Sequence, residues 1–253
     1  MSRKELKRIY YINFGVPSIS YSKAMIEYYL SCGANCFQLD LPTRHPNPEI
    51  ENNYIMKRMK TALMNCADFT QYLDTIRYLK KENPKMDIEM TIYEDTLEEI
   101  GVEGFIAFCK EAGIDRLSLI EGKLKNNLMK KLRDSGIKLL HPMIADAKEE
   151  EVNRVLKYRE PVILLLESGV TTKTQFDLKT IANTVSILHA KGNTEPVFAT
   201  MGIKTPKKVK ELQACGVEGV YIGSVLMQLW EDKEMLKKKI IEFEGIGKGG
   251  DCS

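Results

Sequence analysis

The chain has 253 residues, of which 43% are hydrophobic and 28% are charged. A chain of this length and composition buries a full core, which excludes a peptide, a tail or a linker, and its length suits a single α/β barrel. Lysine and arginine number 37 against 35 for aspartate and glutamate, and the net charge of +2 indicates neither a nucleic-acid nor a membrane partner. The sequence therefore predicts a small-molecule ligand.

The basic start, MSRKELKRIYYINFG, lacks the long apolar stretch and the small-residue cleavage site of a secretory signal. No run of residues approaches the length of a membrane span. Six cysteines are scattered without CxxC pairs or nearby histidines, which predicts reduced thiols rather than disulfides or metal ligands. We therefore expect a cytoplasmic protein with no cofactor and no bound metal.

Short apolar runs alternate along the chain with longer amphipathic stretches, most of which end in glycine. The predicted strands are Tyr10–Phe14, Cys36–Leu41, Ile88–Tyr93, Arg116–Ile120, Lys138–Ile144, Val162–Leu166, Pro196–Thr200 and Val220–Gly223. The predicted helices are Lys23–Ser31, Phe69–Glu82, Val102–Ala112, Leu128–Ser135, Glu149–Tyr158, Leu178–Ala190, Pro206–Ala214 and Val225 to about Phe243.

Eight strand–helix units in a chain of this length favour a closed (β/α)8 TIM barrel, in the α/β class, over an open doubly wound sheet. The Rossmann-like alternative is weaker because the first turn, NFGVPS, has no GxGxxG. We expect one domain over residues 1–253, with a flexible tail at about 245–253. An insertion at about 42–67 follows the second strand, contains the extra helix pattern IENNYIMKRMKTAL, and should lie at the barrel face where chemistry occurs.

Two strand ends near the C-terminus carry glycines just before helices, Met201-Gly202-Ile203 and Ile222-Gly223-Ser224. Glycine lets a backbone approach a ligand closely, and amides that open a helix donate hydrogen bonds toward an anion. The pair predicts a phosphate site formed by Gly202, Gly223 and Ser224, at the corner where such barrels usually bind phosphate. The alternative is that both glycines only shape tight turns.

The sequence resembles the α subunit family of tryptophan synthase. The resemblance rests on the order and spacing of NFGVPS, CFQLDLP, TIYEDT, LLLESGVT, ATMGIKTP and YIGSVL. It implies a (β/α)8 barrel that cleaves indole-3-glycerol phosphate to indole and glyceraldehyde 3-phosphate and passes indole to a partner β subunit. It also implies that YIGSVL holds the phosphate.

The family's catalytic glutamate matches Gln38, and its second catalytic carboxylate matches Glu49. Retro-aldol cleavage delivers a proton to the indole ring and removes one from a hydroxyl, and an amide cannot cycle between those states. Gln38 is therefore expected to position the ligand. Asp40 points to the same side of the strand as Gln38, which predicts that the carboxylate has moved there. The alternative is that Asp40 only pairs with Arg44 or with a lysine of the loop.

Tyr93 resembles the family tyrosine that flanks the substrate, and Tyr11 matches an aromatic residue that packs against indole. The alternative for both is ordinary barrel packing with the hydroxyl at the rim. In the stretch that resembles the family's mobile loop, Gly169 and Thr171 are kept and are expected to position the loop. Thr172 replaces a phosphate-binding glycine, so its amide is a further candidate for phosphate contact. Thr171 has a second interpretation, as a capping or turn residue.

We expect from Gln38 a phosphate-binding retro-aldol lyase whose substrate or reaction differs from that of the family. Two alternatives stay open: the ordinary indole-3-glycerol phosphate lyase of tryptophan biosynthesis, and a catalytically silent phosphate-binding partner or regulatory subunit. The family's partner-contacting loop corresponds to Thr43–Glu51, so a β-subunit-like partner is expected, although this loop reads RHPNPE here. Acidic residues near further strand ends predict that part of the site is acidic, namely Glu94, Asp95, Glu121 and Glu167.

Overall fold

The structure is a computed structural model and describes residues 6–46, 53–120, 126–168 and 174–246. The strands are β1 (Lys7–Asn13), β2 (Cys36–Asp40), β3 (Asp87–Tyr93), β4 (Arg116–Ile120), β5 (Lys138–Leu139), β6 (His141–Ile144), β7 (Val162–Leu165), β8 (Glu167–Ser168), β9 (Thr174–Gln175), β10 (Val197–Thr200) and β11 (Gly219–Ile222). The helices are α1 (Ile19–Ser31), α2 (Asn53–Asn65), α3 (Phe69–Glu82), α4 (Glu94–Ile100), α5 (Val102–Ala112), α6 (Asn126–Asp134), α7 (Glu149–Leu156), α8 (Leu178–Ala190), α9 (Pro206–Ala214), α10 (Ser224–Met227) and α11 (Lys233–Glu244).

All eight predicted strands are present, but the fifth is divided at Leu140. Its first part, β5, pairs with β4, whereas its second part, β6, pairs with β7. The last predicted helix is also divided, because Asp232 begins α11 by accepting a hydrogen bond from the Met235 amide at 3.0 Å. The sequence did not predict the short helix α4 or the antiparallel hairpin β8–β9.

The chain forms two compact units. The first comprises Met1–Tyr10, Cys32–Ala34 and Leu140–Ser253. In it, β1, β11, β10, β7 and β6 lie side by side in that order. The strand pairs are parallel, and Lys7–Tyr10 aligns with Gly219–Ile222. Strands β7, β10 and β11 are buried on both faces, as expected of a parallel sheet covered by helices.

The second unit comprises Tyr11–Ser31 and Asn35–Leu139. Strands β2, β3, β4 and β5 pair in parallel, in chain order. The two faces of β2 differ, because side chains alternate along a strand. Phe37 contacts the ring of Tyr29 in α1, with ring centroids 6.2 Å apart. Gln38 and Asp40 therefore project from the opposite face, away from α1.

Helix α3 illustrates why the predicted helices form where they do. Its buried side chains follow helical spacing, which gives one apolar face, formed by Phe69, Tyr72, Leu73, Ile76 and Leu79. Full burial of such a side chain stabilises the fold by about 1.5–3 kcal/mol. Asp68 caps the N-terminus, where its Oδ1 accepts a hydrogen bond from the Thr70 amide at 2.9 Å.

Five cysteines lie in the described part of the chain, and all five are free thiols. Cys109 is buried in α5, and burial raises the pKa of its thiol to about 12. A thiol with so high a pKa stays protonated and unreactive. Within the described ranges, no helix is long and apolar enough to cross a membrane.

Candidate active site

The carboxylate of Asp40 is the centre of a buried hydrogen-bond cluster in the second unit. Asp40 ends β2, and only 2% of its surface is exposed. Its Oδ2 accepts hydrogen bonds from the Tyr11 hydroxyl and from Nδ2 of Asn13, the latter at 2.9 Å. The same Asn13 nitrogen lies 2.8 Å from the Tyr11 hydroxyl oxygen, to which it donates. Three side chains from two strands therefore meet at one point, as alternation along β1 and β2 requires.

This arrangement suits proton transfer. Asp40 accepts two hydrogen bonds through Oδ2, and such bonds favour the ionised form of a carboxylate, whereas burial opposes it. Tyr11 is only partly buried, and its hydroxyl donates to the carboxylate. A phenol and a carboxylate joined by a hydrogen bond can exchange a proton with a third group. Arg44, an expected partner of Asp40, instead makes two hydrogen bonds to Glu99, at 2.8 and 2.7 Å.

Helix α2 covers this cluster with apolar side chains. Ile55 and Met59 pack against Tyr93, and Tyr11 and Ile120 lie at the edge of the same group. Tyr93 is 4% exposed and ends β3 immediately before α4. Tyr93 thus lies among apolar side chains in the same group as Tyr11, and its predicted role beside the substrate stays a prediction.

Arg58 of α2 belongs to the hydrogen-bond cluster around Asp40, and the sequence did not predict it as a site residue. Its Nε donates to Oδ1 of Asn13 at 3.2 Å, and its Nη1 donates to the Tyr54 hydroxyl at 3.3 Å. The pattern of α2 contained a usable signal. Position 58 falls three residues after Ile55 and four before Ala62, both of which are buried, so Arg58 shares their face of the helix.

Gln38 lies on the same face of β2 as Asp40 but takes part in a different network. It is 6% exposed, and its Nε2 donates to Oε1 of Glu89 and to the Ser118 hydroxyl, both at 3.3 Å. Glu89 is completely buried and also accepts a hydrogen bond from Nε of Arg116 at 3.2 Å. The amide of Gln38 is therefore held by neighbours on β3 and β4.

Arg116 compensates the buried charge of Glu89. Burial by itself lowers the pKa of Arg116, but the carboxylates of Asp87, Glu89 and Asp115 outweigh that effect, so the pKa is raised. The guanidinium is therefore permanently charged, and it donates a hydrogen bond to the buried carboxyl group of Glu89. This pair was not predicted from the sequence. The available signal was a glutamate within the buried strand DIEMTIY, whose other polar residues are Asp87 and Thr91.

The loop after β2 is tied to α4. The Thr43 hydroxyl donates to Asp95 at 2.7 Å, and the amide of Arg44 donates to the same carboxylate at 3.2 Å. Asp95 is thus a structural anchor for this loop. The candidate residues Glu49, Gly169, Thr171 and Thr172 lie outside the described part of the chain, so their roles stay predictions.

Gly202, Gly223 and Ser224, here called the glycine corner, lie in the first unit. Gly202 has a φ of +68°, and a Cβ at this position would lie 2.7 Å from Oε1 of Glu167. Glu167 also accepts a hydrogen bond from Nε2 of Gln175 at 3.1 Å. Gly223 immediately precedes α10, which begins at Ser224. The Glu167 carboxylate thus lies against Gly202, which explains why this position carries no side chain. Its negative charge makes the predicted phosphate site less electropositive than backbone amides alone would make it.

A comparison with known protein families bears on this arrangement. The family model described as "Tryptophan synthase alpha chain" matches residues 1–246. The chain belongs to the tryptophan synthase alpha chain family. The match covers both compact units, including the Asp40 cluster and the glycine corner.

Curated relatives carry the same description. The tryptophan synthase alpha chain of Arabidopsis thaliana is 23% identical over 251 residues, which cover 98% of this chain and 90% of the relative. That of Corynebacterium diphtheriae is 26% identical over 228 residues, covering 87% of this chain and 80% of the relative. The resemblance that the sequence motifs indicated is therefore confirmed.

Solved structures of tryptophan synthase alpha subunits share the fold. A Pyrococcus furiosus tryptophan synthase complex contains a chain with a TM-score of 0.77 and 20% identity, covering 96% of this chain and 99% of that one. The tryptophan synthase subunit alpha of Legionella pneumophila has a TM-score of 0.78 and 16% identity, covering 96% and 94%. The predicted α/β class and (β/α)8 TIM barrel are therefore confirmed.

Gln38 stands at the position where the resemblance to the tryptophan synthase alpha chain family implies a catalytic glutamate. In the described part of the chain, two carboxylates lie beside Gln38 on the polar face of β2 and β3, namely Asp40 and Glu89. Glu89 is completely buried and bound to Arg116, whereas Asp40 bonds to the partly exposed Tyr11. Asp40 is the better placed of the two for chemistry.

Proposed function

We propose that this chain is a lyase that cleaves indole-3-glycerol phosphate into indole and glyceraldehyde 3-phosphate. The observation that carries the proposal is the match of the tryptophan synthase alpha chain family model to residues 1–246. The altered reaction that Gln38 led us to expect is less well supported, because the relatives that share this description match nearly the whole chain. The ordinary reaction, an alternative at the outset, is therefore the one we propose.

Asp40 is proposed to transfer the protons in place of a strand-two glutamate. In the cleavage, the hydroxyl beside the breaking carbon–carbon bond loses its proton and becomes a carbonyl. The electron pair of that bond moves to the indole ring, whose carbon takes up a proton. Asp40 can accept the first proton as a carboxylate and return one as an acid, with Tyr11 as the relay. Its hydrogen bond to Tyr11 supports this role.

The remaining candidates have supporting roles in the proposal. Gln38 positions the polar face of β2 through its contacts to Glu89 and Ser118, and Tyr93 forms an apolar wall for the indole ring. Glu49 is proposed as a second carboxylate on the strength of its motif alone.

Gly202, Gly223, Ser224 and Thr172 are proposed to bind the phosphate. The motifs support this, since glycine at a strand end lets a backbone approach a ligand closely. The adjacent Glu167 carboxylate opposes it, because a phosphate dianion and a carboxylate repel each other. Phosphate binding therefore requires Glu167 to turn away from Gly202.

A tryptophan synthase β subunit is the proposed protein partner. A tryptophan synthase complex from Pyrococcus furiosus is among the structures with this fold, which supports the proposal. The loop that begins at Thr43 is the part of this chain that corresponds to the family's partner-contacting segment. Its first two residues, Thr43 and Arg44, bond to Asp95 of α4, which fixes the start of this segment.

The direct test is an indole-release assay on the purified full chain with indole-3-glycerol phosphate, alone and with a tryptophan synthase β subunit. We expect indole release by the chain alone and faster release with the β subunit. Gly202→Ala serves as the matched phosphate-site variant and is expected to raise KM, because its Cβ has no room beside Glu167. Absence of indole under both conditions would contradict the proposal and favour the silent phosphate-binding partner.

A further inference from the structure

Arg58 bonds to the side of the Asn13 amide that faces away from Asp40. Its Nε donates to Oδ1 of Asn13 at 3.2 Å, while Nδ2 of Asn13 donates to Oδ2 of Asp40 at 2.9 Å. Asn13 is 2% exposed, so water does not compete freely for these groups. A chain of hydrogen bonds thus runs from α2 through Asn13 to Asp40.

We propose that Arg58 is a positioning residue that fixes the orientation of the Asn13 amide and thereby keeps Asp40 ionised as the proton acceptor. This inference rests on the proposed function of Asp40. It goes beyond that proposal because it gives the insertion helix α2 a part in the proton chemistry.

The orientation of the Asn13 amide is set by which neighbouring groups donate hydrogen bonds and which accept them. A side-chain amide has an oxygen that accepts and a nitrogen that donates, and the two ends are nearly the same size. A guanidinium only donates, so the amide oxygen of Asn13 must face Arg58. The nitrogen must then face Asp40 and Tyr11, which accept from it.

The opposite orientation of Asn13 would favour the wrong state of Asp40. It would place the amide nitrogen against the guanidinium of Arg58 and the amide oxygen against the Asp40 carboxylate. Two acceptors in contact require a proton between them, so this arrangement stabilises protonated Asp40. Because Arg58 excludes this orientation of the Asn13 amide, it favours the ionised form of Asp40.

The other titratable or charged groups around Asp40 do not replace Arg58. Tyr11 of β1 donates to Asp40, and Tyr93 of β3 packs under α2. The residue of β3 in register with Asp40 is Thr91, which does not titrate. Tyr54 of α2 accepts from Arg58. Among the described residues, Arg58 is the cation that hydrogen-bonds to Asn13.

The test compares three variants of the full chain in the indole-release assay between about pH 5 and pH 9. Arg58→Gln removes the charge and can accept as well as donate, so it no longer selects the Asn13 orientation. Arg58→Lys keeps a donor-only cation and is expected to preserve most of the wild-type profile. Lys57→Gln, at an exposed position of the same helix, is the matched control for loss of charge.

We expect Arg58→Gln to move the acidic limb of kcat upward by about one pH unit, with KM changed less than about twofold. That shift corresponds to a loss of about tenfold in kcat on the acidic limb and little loss above it. An equal loss of kcat at every pH, or an unmoved acidic limb, would overturn the inference. Arg58→Met, of similar length, replaces Arg58→Gln if the latter does not fold.

A second measurement keeps this inference separate from the proposed function. The Asp40 carboxyl is titrated by carbon-13 NMR in labelled protein, with Asp40→Asn to assign its signal. A higher pKa for Asp40 in Arg58→Gln than in the wild type supports the inference even if no indole is released, and in that case only the proposed function fails. An identical Asp40 titration in both proteins would overturn the inference whatever the activity.

Discussion

Asp40 and Gln38 are two residues apart on one face of β2, yet their side chains join different networks. Asp40 bonds to Tyr11 and Asn13, whereas Gln38 bonds to Glu89 and Ser118. Their shared face was predictable from the alternation of side chains along a strand. Their partners were not, because those depend on the register between neighbouring strands, which places Gln38 opposite Glu89.

The contact between Gln38 and Glu89 explains why an amide suits this position. We predict that Gln38→Glu lowers the free energy of unfolding at pH 7 by about 1–3 kcal/mol, because two buried carboxylates would face each other. The repulsion raises the folded-state pKa of the new glutamate above its unfolded value of about 4.3. The destabilisation is therefore absent below that pH and grows as pH rises through the raised value.

Denaturant unfolding of Gln38→Glu across this pH range checks the prediction. Gln38→Met is the matched control, since it removes the hydrogen bonds without adding a charge. A pH-independent difference between Gln38→Glu and the wild type would show that charge repulsion is not the cause.

Glu167 gives a second prediction about a single side chain. Because its carboxylate lies against Gly202, we predict that Glu167→Gln binds inorganic phosphate about fivefold tighter or more than the wild type. Titration calorimetry with phosphate measures this, with Glu195→Gln as a matched acidic-to-amide control. Weaker phosphate binding by Glu167→Gln would instead make Glu167 part of the binding site.

Among the elements, the helices with clear end signals were the best predicted. The predicted bounds of α3, α5, α8 and α9 are those of the structure. Capping side chains precede α3, α8 and α9, and Gly113 ends α5 in the left-handed conformation, with a φ of +63°. Helix α4 was missed because its seven residues are too few to show a period, and its first acids looked like strand-end site residues.

The cap of α3 makes a testable contribution to stability. Hydrogen bonds from Gln71 and Thr70 lower the pKa of Asp68 below its usual value. A depressed folded-state pKa stabilises the fold above the unfolded pKa of about 3.9, and the contribution is lost as pH falls through the folded value. We therefore predict that Asp68→Ala is less stable than the wild type at pH 7 and that the difference disappears in acid.

Thermal unfolding at several pH values measures this effect. Asp68→Asn keeps a capping acceptor without a charge, so its stability relative to Asp68→Ala should not depend on pH. If Asp68→Ala stays less stable by the same amount in acid, the ionised carboxylate is not what stabilises the cap.

For the chain as a whole, the fold was predictable because the same strand–helix unit recurs eight times. Apolar runs, amphipathic stretches and glycine ends repeat the same local evidence, so an error in one unit does not change the class. The family was predictable from the order of its motifs, and the match to residues 1–246 confirms it. The site was less predictable, since Arg58 and Glu89 act through contacts between segments distant in the sequence.

The proposed cleavage mechanism depends on Asp40, which performs the proton transfer that Gln38 cannot perform. The decisive measurement is kcat for indole release by Asp40→Asn, Gln38→Ala and the wild type, with Asp134→Asn, an exposed aspartate paired with Lys130, as the control. We predict that Asp40→Asn loses about 100-fold or more in kcat, that Gln38→Ala loses less, and that Asp134→Asn loses nothing. Full activity in Asp40→Asn together with loss of activity in Gln38→Ala would contradict the account.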